Sequence, residues 1–284
     1  MVMVNFNGVL YPKTATLFNF SNRTFCYGDA LFEKVRALNN RLVFWEEHYF
    51  RIMASMRILR MEIPMSFTME HLEKEILKVI GANNLMSKSV IVTVGVFRNA
   101  ETDTSSIGNA VSYVISAEEM KTSFYTRLKS PSQVELFRDH LVSSDILSKL
   151  DTNQKTIEIL AHIFAKENNY ADCILLNTQK YVVGTLFGSL FLVKDGKLKT
   201  PTTDDGAKNR VIREKFIDIV KSIASYQIDE VSISPFELHK ADELFVLNIS
   251  QGIQSISAYR KKTYRKEVAT DLLGKLNAAV RLSI

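Results

Sequence analysis

The groups with the most chemistry to offer in this 284-residue chain are few and scattered. The stretch SKLDTNQK, Ser148 to Lys155, sets two amines and a carboxylate just ahead of a helix-patterned run. A lysine amine can add to a carbonyl carbon, and a carboxylate with a raised pKa can carry a proton. Five histidines, at 48, 71, 140, 162 and 239, do not cluster at metal-ligand spacing, so no metal site is expected. Cys26 has no base near it in sequence and reads as a packed small residue. No Gly-rich phosphate loop, HExxH, paired-cysteine pattern or GxSxG elbow is present. The densest basic run, YRKKTYRK from Tyr259 to Lys266, offers cations with tyrosines that can stack on bases. No nucleic-acid motif accompanies it. It reads as a solvated strand end, and neither nucleic acid nor a membrane is expected as a partner.

The elements that must position these groups alternate between two patterns. MVNFNGVLY and RALNNRLVFW read as hairpins turning at Asn7-Gly8 and Asn39-Asn40. Two helices follow. The first has a face of Phe50, Ile52, Met53, Met56 and Leu59; the second has Leu72, Ile76, Val79 and Ile80, with Gly81 as its stop. SVIVTVGVFR and NAVSYVISAEE read as long strands around a polar loop. Beyond a linker at 117–131, TIEILAHIFAKEN places Ile157, Leu160, Ala161, Phe164 and Ala165 along one buried helical stripe. A hairpin at Asp195-Gly196, a helix with Val211, Ile212, Phe216, Ile219, Val220 and Ile223 facing inward, and a last helix from about Glu267 complete the pattern. The fold class is α/β (α+β) in two domains, 1–116 and 132–284, built from hairpins rather than regular βαβ alternation. Two cysteines without CxxC spacing, no run of about 20 apolar residues and no secretory leader point to the cytoplasm. A net charge of +5 permits an anionic partner without requiring one.

Several phrases occur in a particular order. YGDALFEKVRALNNRLVFWEEHYFRI, residues 27–52, carries Gly28-Asp29, Phe32-Glu33, Arg36, and His48 with Arg51 three positions on. ENNYADCILLN, SLFLVKDGKLKTP, GAKNRVIREKFI and ADELFVLNISQGIQSI follow. Together these blocks resemble the fold-type IV pyridoxal-phosphate enzymes: branched-chain and D-amino-acid aminotransferases and aminodeoxychorismate lyases. The resemblance runs over nearly the whole chain and implies that family's two-domain fold and a homodimer.

It also implies a checklist. A lysine holds the aldehyde coenzyme, a carboxylate faces the pyridine nitrogen, and an arginine with helix-start amides holds the phosphate. Arg51 matches the phosphate arginine. Counting back from Ala161, however, puts Asp151 at the lysine position, and Gly184 stands where the pyridine-facing glutamate belongs. No carboxylate lies between Lys180 and Lys194. Arg210 replaces the glycine that opens the phosphate-binding helix, ahead of Val211, Ile212 and Arg213. Leu247-Asn248-Ile249 replaces a hydroxyl-and-glycine segment.

The leading expectation is therefore a class IV aminotransferase-like protein that has lost pyridoxal-phosphate-dependent transamination and holds no cofactor. It would be a dimeric scaffold, or would bind a small anion near Arg51, Arg210, Arg213, Asn248 and the amides of Val211 and Ile212. The alternative is an active pyridoxal-phosphate aminotransferase or lyase whose Schiff-base residue is Lys149, two positions from Asp151 and on the same side if the segment is a strand.

Overall fold

A computed structural model describes residues 2–99, 108–127 and 132–284. Most of the polar loop expected around 99–108, and residues 128–131 of the expected linker, lie outside them. The chain forms two compact units. The first holds the residues up to Phe124, a return visit by Asp151–Gln154, and Ser283–Ile284; the second holds Tyr125–Leu150 and Lys155–Leu282. Of the expected C-terminal domain, 132–284, six residues group with the first unit, Asp151–Gln154 and Ser283–Ile284; backbone pairing, described below, seats Asp151–Gln154 there.

In the first unit, β1 (Met3–Phe6), β2 (Val9–Pro12), α1 (Arg23–Tyr27), β3 (Ala30–Leu38), β4 (Arg41–Leu42), α2 (Trp45–Ile58), α3 (Met69–Ala82), β5 (Ser89–Arg98) and β6 (Val111–Glu119) follow in order. The strands make one antiparallel sheet, β2-β1-β6-β5-β3-β4. Both expected hairpins turn through positive φ, at Asn7 and Gly8 and again at Asn39 and Asn40, the backbone twist that two-residue loops demand. Val35, Val92, Val94 and Ile115 of the sheet pack against Ile52, Met53 and Met56 of α2 and Leu72, Ile76, Val79 and Ile80 of α3. Each such side chain contributes about 1.5–3 kcal/mol by leaving water.

Two details of helix patterning differ from the sequence reading. Phe50 is exposed, and the buried face of α2 includes Trp45, His48 and Ser55, because the stripe lies one step round toward the polar residues it positions. Gly81 stays helical. Asn83 caps α3, and Asn84 takes the left-handed turn, which asparagine tolerates well.

In the second unit, β7 (Gln133–Leu136), α4 (Thr156–Glu167), β8 (Asp172–Leu176), β9 (Val182–Thr185), β10 (Ser189–Lys194), β11 (Lys197–Pro201), α5 (Val211–Lys221), β12 (Gln227–Val231), α6 (Pro235–Lys240), β13 (Glu243–Asn248), β14 (Gly252–Ile256), β15 (Ala258–Tyr259), β16 (Lys262–Thr263) and α7 (Glu267–Leu282) build two sheets, β12-β11-β10-β13-β14 and β16-β15-β7-β8-β9. Leu190, Leu192, Leu244 and Val246 of one sheet share a core with Val134, Leu136, Ile174 and Val182 of the other. Elsewhere in the unit Phe191, Phe216 and Phe245 interlock, with ring centroids 4.8–5.9 Å apart. On α5, Ile217 is buried where Ile219 and Ile223 were expected to be; those two are only half-buried.

Helix α4 keeps its expected stripe except at Leu160. Only Ala161 and Ala165 are buried; Leu160 is exposed, and so are Ile159 and Ile163. The two alanines let the helix backbone lie close over Phe137, Cys173, Leu175 and Val183, and Ile157 and Phe164 pack against the same cluster, while Ile159, Leu160 and Ile163 face outward.

In the basic run Tyr259 is buried, Arg260 pairs with Glu135 at 3.3 Å, and the Tyr264 hydroxyl donates to the Leu238 carbonyl at 2.7 Å. Among the described residues no helix is long and apolar enough to cross a membrane, and no group of three or more His, Cys, Asp and Glu could hold a metal ion.

Candidate functional site

The first unit gathers four charged or ionisable side chains. His48 and Arg51, three apart on α2, point from one face of the helix, and Glu33 reaches them from β3. The His48 Nδ1 lies 2.7 Å from Glu33 Oε1, and Arg51 Nη1 donates to Glu33 Oε2. Arg51 Nη2 lies 3.2 Å from Asp151 Oδ2. Glu33, His48 and Arg51 are 5%, 2% and 12% exposed, so the Glu33–Arg51 ion pair lies in a weakly screened setting. Burial opposes the guanidinium's charge. The carboxylates of Glu33 and Asp151 outweigh it and hold Arg51 above its ordinary pKa. The second ring nitrogen of His48, Nε2, is buried with no hydrogen-bond partner among the described residues. The cluster as built compensates a guanidinium with two side-chain carboxylates.

Asp151 heads a short segment added to the outer edge of β3. The Phe32 N–H donates to the Asp151 carbonyl at 2.7 Å, the Asn153 N–H donates to Ala30 at 3.3 Å, and Leu31 bridges Thr152 in antiparallel fashion. Asn153 Nδ2 also donates to the Thr24 carbonyl at 2.9 Å. Gly28, at φ 67, ends α1 beneath this segment, where a Cβ would meet Gln154 at 3.0 Å.

The second unit holds the remaining candidates. Lys149 was expected in a strand, facing the same way as residue 151. It ends a 3-10 turn, Leu147–Lys149, and its Nζ pairs with Asp204 at 2.9 Å. The turn forms because Asp145 caps it, accepting from the Leu147 and Ser148 N–H groups, so alternation along a strand does not apply. Arg213 is buried, donates to the Pro201 carbonyl at 2.8 Å and pairs with Glu230 at 3.0 Å. Arg210 stands at the N-cap of α5 in extended conformation, and the Val211 and Ile212 side chains behind it are buried. Asn248 is committed to its own turn, its Oδ1 accepting from the N–H groups of Ser250 and Gln251 at 3.0 and 2.7 Å. Leu247 is fully buried, and the Ile249 carbonyl accepts from the Tyr125 hydroxyl at 3.0 Å.

Gly184 lies in β9 at φ 150, a value L side chains rarely adopt, with the Gly188 carbonyl 3.2 Å from where a Cβ would be. The turn from Thr185 to Gly188 is held by a residue the sequence reading passed over. Asp172, buried at the start of β8, accepts from the N–H groups of Cys173 at 2.7 Å and Leu186 at 3.1 Å. Burial pushes its carboxyl up to about 6, against the pull of those hydrogen bonds and of Thr185. A carboxylate directly before the apolar run CILL was the one available signal. The same turn is tightly closed at Gly188, where a Cβ would sit 2.3 Å from the Leu247 carbonyl oxygen and 2.6 Å from Val246. Gly188→Ala therefore destabilises the chain by about 2 kcal/mol in urea denaturation, a typical cost of overpacking.

The family model for amino-transferase class IV matches residues 30–259. A probable branched-chain-amino-acid aminotransferase of Aquifex aeolicus is 24% identical over 257 residues, covering 88% of this chain and 82% of that protein. A branched-chain aminotransferase of Thermoproteus uzoniensis, solved with norvaline, superposes with a TM-score of 0.88 at 21% identity over 99% of this chain and 95% of its own. A branched-chain amino acid aminotransferase of Thermobaculum terrenum, solved in its PLP form, gives 0.84 at 18% identity over 100% and 95%. With the family model spanning most of its length and both units carrying the family's fold, this chain belongs to the class IV aminotransferases.

Proposed function

We propose that this chain is an aminotransferase-like protein that no longer runs pyridoxal-phosphate-dependent transamination, and that it serves as a dimeric scaffold. The observation that carries this reading is the Asp151 carboxylate 3.2 Å from Arg51. By the family resemblance Asp151 stands where the coenzyme lysine belongs, and Arg51 is the phosphate arginine. A carboxylate cannot form an imine, and here it draws on the cation a phosphate would need. Glu33 engages the same guanidinium from the other side.

The second unit supports the reading independently. Gly184 offers no counter-charge to a pyridinium, and its backbone disfavours any residue that would restore one. Asn248 and Arg213 already have partners within the protein. The residues present therefore do not fit the coenzyme. A small anion would be left with Arg210 and the first amides of α5, a thinner cradle than the family's. Support for a homodimer comes from the apolar side chains that Ile159, Leu160 and Ile163 of α4 expose beside Phe187, whose ring lies 5.9 Å from that of His162.

Incubation of the purified chain with pyridoxal phosphate is expected to leave the spectrum that of the free aldehyde. Borohydride reduction is expected to label no lysine above the background of surface amines. A stoichiometric label on Lys149 would overturn the proposal.

A further inference from the structure

We infer that Asp151 is the latch of a four-residue clasp: its carboxylate on Arg51 holds Asp151–Gln154 against the free edge of β3. Strand β4 pairs only with the far end of β3, at Ala37 and Leu38, so the Ala30–Phe32 half has an unpaired outer edge. Unpaired edges accept added strands. The clasp takes that place, and the chain runs into it from Leu150 and out of it to Lys155, both residues of the second unit.

Among the described residues two backbone hydrogen bonds, at 2.7 and 3.3 Å, and one bridge seat the clasp on the edge. A pairing that short is marginal without side-chain support. The support comes from both ends of the segment. Asn153 donates to the Thr24 carbonyl, and Gln154 rests on Gly28. Asp151 makes the charged contact, to an arginine that Glu33 already fixes in place. Charge-assisted hydrogen bonds to a pre-positioned guanidinium are stronger than neutral ones and cost little further ordering. In this chain an internal carboxylate therefore does a structural job at Arg51 and makes the seating of the segment independent of any bound anion. This goes beyond the loss of coenzyme chemistry and does not depend on it.

Amide hydrogen exchange on the full chain tests the latch. In Asp151→Asn, the Phe32 and Asn153 amides exchange about tenfold faster or more, the loss expected for one charge-assisted contact. The Val92 amide, inside the sheet, and all amides of an Asp218→Asn control keep their wild-type rates. Asp151→Glu, which keeps the charge one methylene further out, falls between wild type and Asp151→Asn and supplies a folded comparison if the latter is poorly behaved. Wild-type protection of Phe32 and Asn153 in both variants would overturn the inference. A lysine labelled by pyridoxal phosphate alongside fast exchange in Asp151→Asn would sink the functional reading and leave the latch standing.

Discussion

Arg51→Ala lowers the stability of the chain by about 3–5 kcal/mol, the cost of removing one partner from a buried ion pair. The size follows from what remains. Glu33 is 5% exposed and, among the described residues, keeps the His48 ring nitrogen at 2.7 Å, so its charge is left largely uncompensated. Asp151 loses its charged contact as well. Equilibrium urea unfolding reads the effect as a fall in midpoint at constant slope. The companion double variant Arg51→Met/Glu33→Gln separates charge from packing, because taking both charges away together leaves no buried carboxylate at position 33; the Asp151 carboxylate, 19% exposed, still loses its contact with Arg51. The double variant recovers a large part of the loss, so the two single effects do not add. Additive losses would show that Arg51 and Glu33 stabilise the unit through separate contacts and would weaken the picture of one electrostatic cluster.

Asp172 imposes a pH dependence of the opposite sense to the usual carboxylate. Its folded value is raised, from 3.8 to about 6, chiefly because burial disfavours the charged form. A raised value means that the folded chain holds the proton more tightly than the unfolded one. The stabilisation is complete below about pH 4, declines as pH rises, and is gone above about pH 6. A shift of roughly two pH units corresponds to about 3 kcal/mol across that window. Other carboxylates titrate there too, so the measurement is the difference between wild type and Asp172→Asn, whose amide oxygen can still accept from the Cys173 and Leu186 N–H groups. That difference moves in the variant's favour by about 3 kcal/mol between pH 4 and pH 7. Parallel stability curves for the two chains would show that the Asp172 carboxyl is not desolvated as its burial implies.

The first effect centres on Arg51, which the ordered motifs single out, and the second on Asp172, which they pass over. Glu33 was visible only as part of a matching phrase, and nothing in the spacing of residues 33, 48, 51 and 151 announces that they meet. Local rules did reach the hairpins at Asn7-Gly8, Asn39-Asn40 and Asp195-Gly196, since a two-residue turn with positive φ is dictated by its own residues. The helix periods reached α3 almost residue for residue. On α4 they reached Ile157, Ala161, Phe164 and Ala165 but not Leu160, which is exposed, because the depth of burial depends on how closely the sheet beneath allows the helix to approach.

By itself, then, the sequence determined the fold, the order of its blocks and the presence of Asp151 and Gly184 where the resemblance implies a lysine and a glutamate, because residue identity and turn chemistry are local properties. Tertiary structure alone decided that Asp151 turns its carboxylate onto Arg51, that Lys149 ends a 3-10 turn paired with Asp204, and that Arg213 is internal. Those outcomes rest on pairings between groups as many as 100 positions apart, and no short-range preference of the chain encodes such a distance.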